Sequence, residues 1–404
     1  MVQIKPFEVE QWMDRYENTP EILNIAETCA ASVSIDELEG FSTDKNTPSP
    51  LSRTLKLTYG HIRGSPTFHK NVASLINNGT PLRTSSPRPP PLEAENVLIT
   101  QGAIAANFLV FYTLVGPGDH VICVYPTYQQ LYDVPQSLGA EVSLWRLKVE
   151  DGFIPDVAEL ERLVKPNTKM IVINNPNNPT GATTPESVLA AIVTFAQARG
   201  ITILSDEVYS PLYHSLPEGQ AAPPSILAFG YDKAVATGSM SKAFALAGIR
   251  VGWVATRDRG LIDDLAHARD YTAISVSQLD DQVATYALSR AVLPSLMERN
   301  MTLARTNLQL LSSFVEKYSS VCSWVKPTAG TTAFLQFRQN GVPVDDVKFA
   351  TELVDWKVMF VPAGRCFGGG KDFRGYVRIG YVSHTDVLTA GLENLGRYVE
   401  KHLL

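Results

Sequence analysis

The densest cluster of reactive residues is Ser239-Met-Ser-Lys242, followed by Ala243-Phe-Ala-Leu-Ala-Gly-Ile-Arg250. It leaves the apolar run Ala234–Thr237, which reads as a buried strand. A lysine at the end of such a strand can lose its proton by desolvation and form a Schiff base with an aldehyde. Ser239 and Ser241 offer hydroxyl donors, and Arg250 offers a guanidinium fork; together they suit a phosphate dianion. Taken alone, a surface lysine and a salt-bridged arginine are the ordinary reading, because lysine is rarely buried without a task.

Asp206 follows the apolar run Ile201–Leu204, so its carboxylate is expected to be partly buried. A buried carboxylate needs a cationic partner or it takes up a proton, and a pyridinium nitrogen is one such partner. A helix cap is the competing account of Asp206. Tyr209, three residues on, and Asn178 in the turn Asn178-Pro-Thr-Gly181 are candidate donors to a phenolic oxygen. Gly102 and Ala103 lie where a strand gives way to a helix, and backbone N–H groups at such a junction bind phosphate. Tyr128 stands at another strand exit and could stack on a planar ring. Arg378, within Tyr376-Val-Arg-Ile-Gly380, suits bidentate recognition of a carboxylate; a structural ion pair is the alternative.

These residues sit at the ends of short β-rich runs: Asn96–Thr100, His120–Tyr125, Lys169–Ile173, Ile201–Leu204 and Ala234–Thr237. Helical patterns separate the runs, as in a parallel sheet covered by helices. One intervening helix has legible ends. Thr183 and Glu186 can form a capping box, Pro185 suits the first turn, and Gly200 stops it. Arg250–Thr256 follows Lys242 too closely for a parallel crossover, so this strand should return antiparallel. Open parallel sheets bind ligands beyond the carboxyl ends of their strands, where the reactive residues fall. The expected fold is α/β: a three-layer sandwich with a mostly parallel central sheet, one antiparallel strand, and a smaller α+β C-terminal domain. The expected parts are an N-terminal arm over 1–45 that packs with the small domain, a large domain over 46–285, and the small domain over 286–404.

Composition narrows the function classes. The chain has 404 residues, 45% hydrophobic and 19% charged, enough for a large core in two lobes. A net charge of −6 with no basic block argues against a nucleic-acid partner. Cys29, Cys123, Cys322 and Cys366 form no CxxC pair and lie near no histidine at ligand spacing, so no metal site or disulfide framework is expected. The amino terminus lacks the apolar stretch of a signal peptide, and the longest apolar run, Ala103–Val115, is too short to span a bilayer. The expected location is cytoplasmic, with no membrane partner. Thr84–Pro91 reads as an extended, proline-rich connector.

The order and spacing of Asn178-Pro-Thr-Gly181, Asp206 with Tyr209, Ser239-x-Ser-Lys242, Arg250 and Arg378 resemble the class I/II aminotransferases of pyridoxal 5′-phosphate (PLP) fold type I. The resemblance runs from about Tyr59 to the C-terminal helix. It implies that Lys242 is the Schiff-base lysine and proton shuttle, and that Asp206 pairs with the pyridine nitrogen. It further implies that Asn178 and Tyr209 meet the ring oxygen, and that Gly102, Ala103, Ser239, Ser241 and Arg250 hold the phosphate. Tyr128 would stack on the ring, and Arg378, beside Asn178, would bind the α-carboxylate. Tyr59 would reach the phosphate of a neighbouring subunit in a homodimer with shared active sites. The implied activity is transfer of an amino group from an amino acid to a 2-oxo acid.

Two stretches depart from the family pattern. Gly64-Ser-Pro-Thr-Phe-His69 stands where relatives read Gly-x-x-x-Leu-Arg. Asn24–Ser34 matches no aminotransferase pattern and resembles the corresponding region of PLP-dependent cyclases of the capreomycidine synthase kind. The alternative reading is therefore a β/γ-elimination, replacement or cyclisation enzyme.

Overall fold

The computed structural model describes residues 4–82 and 89–404; most of the proline-rich connector lies outside the described residues. Seven strands build the main sheet: β1 (Val97–Thr100), β2 (His120–Tyr125), β3 (Glu141–Arg146), β4 (Thr168–Asn174), β5 (Thr202–Asp206), β6 (Ala234–Ser239) and β7 (Gly252–Thr256). Their order is β1-β7-β6-β5-β4-β2-β3. Strand β7 runs antiparallel to both its neighbours, and the remaining pairs are parallel. The single reversed strand is thus where the short link after Lys242 requires it. Edge strand β3 escapes the sequence reading because it is half-exposed and carries Glu141 and Arg146 at its ends, so it has no continuous apolar run.

The helices that matter for the site are α1 (Glu8–Tyr16), α2 (Gly102–Leu114), α3 (Gln130–Ser137), α4 (Glu186–Arg199), α5 (Arg259–Asp270), α6 (Leu293–Lys317) and α7 (Thr385–His402). Strand side chains alternate between two faces, and that alternation divides the core. Leu98, Val121, Cys123, Met170, Val172, Leu204, Val235 and Val254 pack with apolar residues of α2, α3 and α5. Their neighbours Ile99, Ile122, Val124, Ile171, Ile173, Ile203, Ala236 and Trp253 pack on the other side with Leu189, Ile192 and Val193 of α4. Each buried branched aliphatic side chain contributes about 1.5–3 kcal/mol. Both layers are therefore needed to hold the strand ends in register.

Helix α4 corrects one expectation. It starts at Glu186 with Pro185 as its N-cap and no side-chain cap bond, so the capping box does not form. Thr183 instead shares a 2.8 Å hydrogen bond with Thr328, which ties this loop to the segment just before Thr332–Gln339 of the second sheet. The helix ends at Gly200 in a left-handed turn, as expected.

The second sheet is antiparallel: β8 (Cys322–Trp324), β9 (Thr332–Gln339), β10 (Val342–Pro343), β11 (Val361–Pro362) and β12 (Tyr376–Gly380), in the order β10-β9-β12-β11 with β8 paired to β9. Helix α1 touches both bodies. Trp12 donates its indole N–H to the Phe360 carbonyl (2.9 Å), and the Glu8 amide donates to the Gln129 side chain (2.8 Å). The departing segment Gly64–His69 still starts a helix, Pro66–Asn77, capped by Ser65. Among the described residues no helix is long and apolar enough to cross a membrane.

Candidate active site

A cavity of about 600 Å³ opens at the carboxyl ends of β4, β5 and β6. Ala103, Tyr128, Asn178, Asp206, Tyr209, Ser239, Ser241, Lys242, Arg250 and Arg378 all line it. Gly102 lies just behind, and Tyr59 stands apart, 74% exposed and outside the cavity. Residues 26–29 and helix α1 close the opposite wall.

Lys242 leaves β6 and turns its ammonium toward that wall. It donates to the Thr28 hydroxyl at 2.6 Å and meets the Cys29 sulfur at 3.4 Å and a Glu27 carboxylate oxygen at 3.8 Å. The expected loss of a proton by desolvation is not what the site gives. Burial works to lower the Lys242 pKa, but the surrounding Cys29, Tyr209 and Glu27 together hold it above the usual lysine value. Burial pushes the Cys29 thiol up to about 11, and it also raises Tyr209, so both keep their protons at neutral pH. Glu27, brought down to about 2 against its own desolvation by Lys242 and by hydrogen bonds from residues 28 and 29, is the ionised neighbour. The difference comes from neighbours that fold in from elsewhere in the chain, Cys29 and Tyr209 first and the Glu27 carboxylate with them.

Asp206 ends β5 and is 3% exposed. One oxygen accepts from the Asn107 amide (3.0 Å) and the other from the Val208 backbone N–H (3.1 Å). Asn107 is held in turn by the Thr237 hydroxyl, which donates to it at 2.7 Å. Among the described residues no cationic nitrogen lies within 4 Å of Asp206, and burial pushes its pKa up to about 6. The carboxylate is fixed in direction and, among the described residues, has no cation in contact, although Lys242 acts on it from farther away. The Val208 contact also gives the cap-like reading its share of truth.

Arg378, on β12, is 2% exposed. Its guanidinium donates to the Ala26 carbonyl (3.0 Å) and lies 3.4 Å from the Asn178 side-chain oxygen. Nε has no partner, and among the described residues no carboxylate lies within 4 Å. Among the described residues the guanidinium therefore forms no structural ion pair. Asn178 is set in place by Asn174, whose side-chain oxygen accepts its backbone N–H (2.7 Å) while the Asn174 amide donates to the Asp206 carbonyl (3.0 Å).

At the other end, Arg250 points back over the start of α2. Its Nη1 donates to the Ala247 carbonyl (2.8 Å) and meets the Ser241 hydroxyl at 3.3 Å. Ser239 accepts from the Ser241 backbone N–H at 2.8 Å. Gly102 has a φ of +78°, and a Cβ there would come within 2.8 Å of the Arg250 guanidinium. Only glycine allows this approach. Tyr128 is steered by Glu10, to which its hydroxyl donates at 3.0 Å, and by Phe7, whose ring centre lies 4.8 Å away.

Three groups of site residues escaped the sequence reading. Asn107 was a detectable signal, a lone amide in the apolar helix α2. Glu27, Thr28 and Cys29 fall in the segment whose pattern was unfamiliar. Glu10, Asp14 and Glu17 on and just after α1 line the cavity too, and their helical spacing was legible.

Comparison with known proteins gives the family of the chain. A family model described as aminotransferase class I and II matches residues 50–393. Capreomycidine synthase of Streptomyces vinaceus is 29% identical over 306 residues, 76% of this chain and 75% of that protein. The arginine–pyruvate transaminase of Pseudomonas aeruginosa is 27% identical over 348 residues, covering 84% and 83%. A PLP-dependent aminotransferase structure from Streptococcus suis superposes with a TM-score of 0.86 at 38% identity, over 99% of this chain and 98% of that one.

Proposed function

Because the chain belongs to the class I and II aminotransferase family, we propose that it binds PLP on Lys242 and moves an amino group from an amino acid to a 2-oxo acid. The observation that carries the reading is one cavity holding an amine, a buried carboxylate with no contacting cation and a buried guanidinium with no contacting carboxylate among the described residues. Each lacks a partner of a kind that PLP or an amino acid supplies. Asp206 suits a protonated ring nitrogen, because a cation there offsets the cost of its burial. The approach of Arg250 to Gly102, beside Ser241 and the start of α2, suits a phosphate. Tyr209 and Asn178 border the space between.

When bound, PLP supplies a ring that accepts the electron pair left at the substrate α-carbon. The protein's own part is positional and protolytic. Arg378 and Asn178 fix the α-carboxylate, which sets the orientation of the α-carbon. Lys242 Nζ takes the α-proton, for which it must first give up the charge that Glu27 now holds. Tyr59, exposed and outside its own cavity, fits a role across a homodimer interface, and exposed Phe108, Tyr112 and Tyr271 provide an apolar face for one.

A second reading, elimination, replacement or cyclisation, is favoured by the relationship to a protein named capreomycidine synthase and by the divergent wall at 26–29. A single-turnover experiment separates the two. With an amino acid and no 2-oxo acid, an aminotransferase is expected to release one 2-oxo product per site and stop, resuming when a 2-oxo acid is added. Continuous turnover without any acceptor would contradict transamination.

A further inference from the structure

We infer that the substrate of this site carries a positive charge at the end of its side chain, as in a guanidinium or alkylammonium amino acid. This rests on the reading above, in which Arg378 takes the α-carboxylate. Residues Glu10, Asp14 and Glu17 follow one another at i, i+4 and i+7, which puts three carboxylates on one face of helix α1 and its C-cap. All three line the cavity, as does Glu27 on the adjoining wall.

The arrangement costs the helix stability. Like charges one turn apart repel, and Glu17 sits at the C-terminal end, where the helix dipole disfavours an anion. No cation of the described residues compensates it: Asp14 and Glu17 have neither an ion pair nor a side-chain hydrogen bond, and Glu10 is held only by the neutral Tyr128 hydroxyl. Glu27 has one cationic neighbour, Lys242, whose charge the proposed chemistry removes. A second observation points to the same ligand from its other end. The Arg378 Nε is buried and unpartnered in the same cavity, so a carboxylate is called for there and a cation toward α1. A neutral side chain would gain nothing from these carboxylates, and an acidic one would meet a like charge.

Calorimetric titration of the PLP-loaded protein with L-arginine, L-lysine, L-leucine and L-citrulline tests this, with cofactor absorbance recorded in the same samples. Citrulline keeps the length of arginine and lacks its charge. The expected result is that arginine or lysine binds at least about tenfold more tightly than citrulline and leucine, with the ratio shrinking as salt is raised. In Asp14→Asn/Glu17→Gln the ratio is expected to fall below about threefold at a melting temperature no lower than the parent's, since both side chains are exposed and their mutual repulsion is removed. Equal or tighter binding of citrulline or leucine, with absorbance changes, would overturn the inference and leave the aminotransferase reading standing. An unchanged ratio in the double variant would also overturn it. Absence of any absorbance change with every amino acid would remove both.

Discussion

Lys242→Ala is expected to lower turnover by roughly four powers of ten or more, because one substitution removes both the covalent attachment point and the base at the α-carbon. It should also remove the visible absorbance that lysine-bound PLP gives, while phosphate contacts retain the cofactor weakly. The fold is expected to survive. Among the described residues the ammonium is tied to the rest of the chain by Thr28, Cys29 and Glu27 only, and its side chain is 25% exposed. Loss of Lys242 frees Glu27 from the charge that lowers its pKa, so that pKa should rise from about 2. The checks are single-turnover kinetics, an absorbance spectrum and a melting curve. Activity within tenfold of the parent at normal stability would contradict the role given to this lysine.

Asp206→Asn is expected to produce the second largest effect. If Asp206 pairs with the ring nitrogen, neutralising it breaks a buried ion pair, which costs about 3–5 kcal/mol, or roughly two to three and a half powers of ten in turnover. The same variant has a signature in the cofactor-free protein. Burial raises Asp206 from 3.8 to about 6, so the folded chain holds that proton more tightly than the unfolded chain does. Its stability contribution is therefore undiminished below pH 4 and falls as pH rises toward 6, by on the order of 3 kcal/mol. The asparagine variant lacks this loss and should gain on the parent protein between pH 4 and pH 7. Melting curves of both proteins across that range provide the measurement; parallel curves would show that Asp206 is not held uncompensated.

The strand exits were legible because strand formation depends on local apolar runs, and Asp206, Asn178 and Lys242 each follow one. The reversal of β7 was legible too, because the link after Lys242 is too short for a crossover. Strand β3 was not, since its half-exposed sequence gains its place by pairing with β2 rather than by burial. The charge state of Lys242 was misread for a related reason. Desolvation is local and can be anticipated from the strand, whereas Glu27 and its neighbour Thr28 arrive from 214 residues upstream and more. The α4 cap failed because Thr183 found a partner, Thr328, in the loop between β8 and β9 of the second sheet. In each case the missing information was a contact between segments distant in sequence, while the motif residues themselves needed only their own strand to be placed.

The claim on which everything else depends is that PLP becomes attached to Lys242 and to no other lysine. Borohydride reduction of the PLP-loaded protein, followed by peptide mass spectrometry, measures that attachment directly. The expected result is a single phosphopyridoxyl adduct, near one per chain, on the peptide containing Ser239-Met-Ser-Lys242. An adduct spread over surface lysines, or one confined to a different lysine, would contradict it.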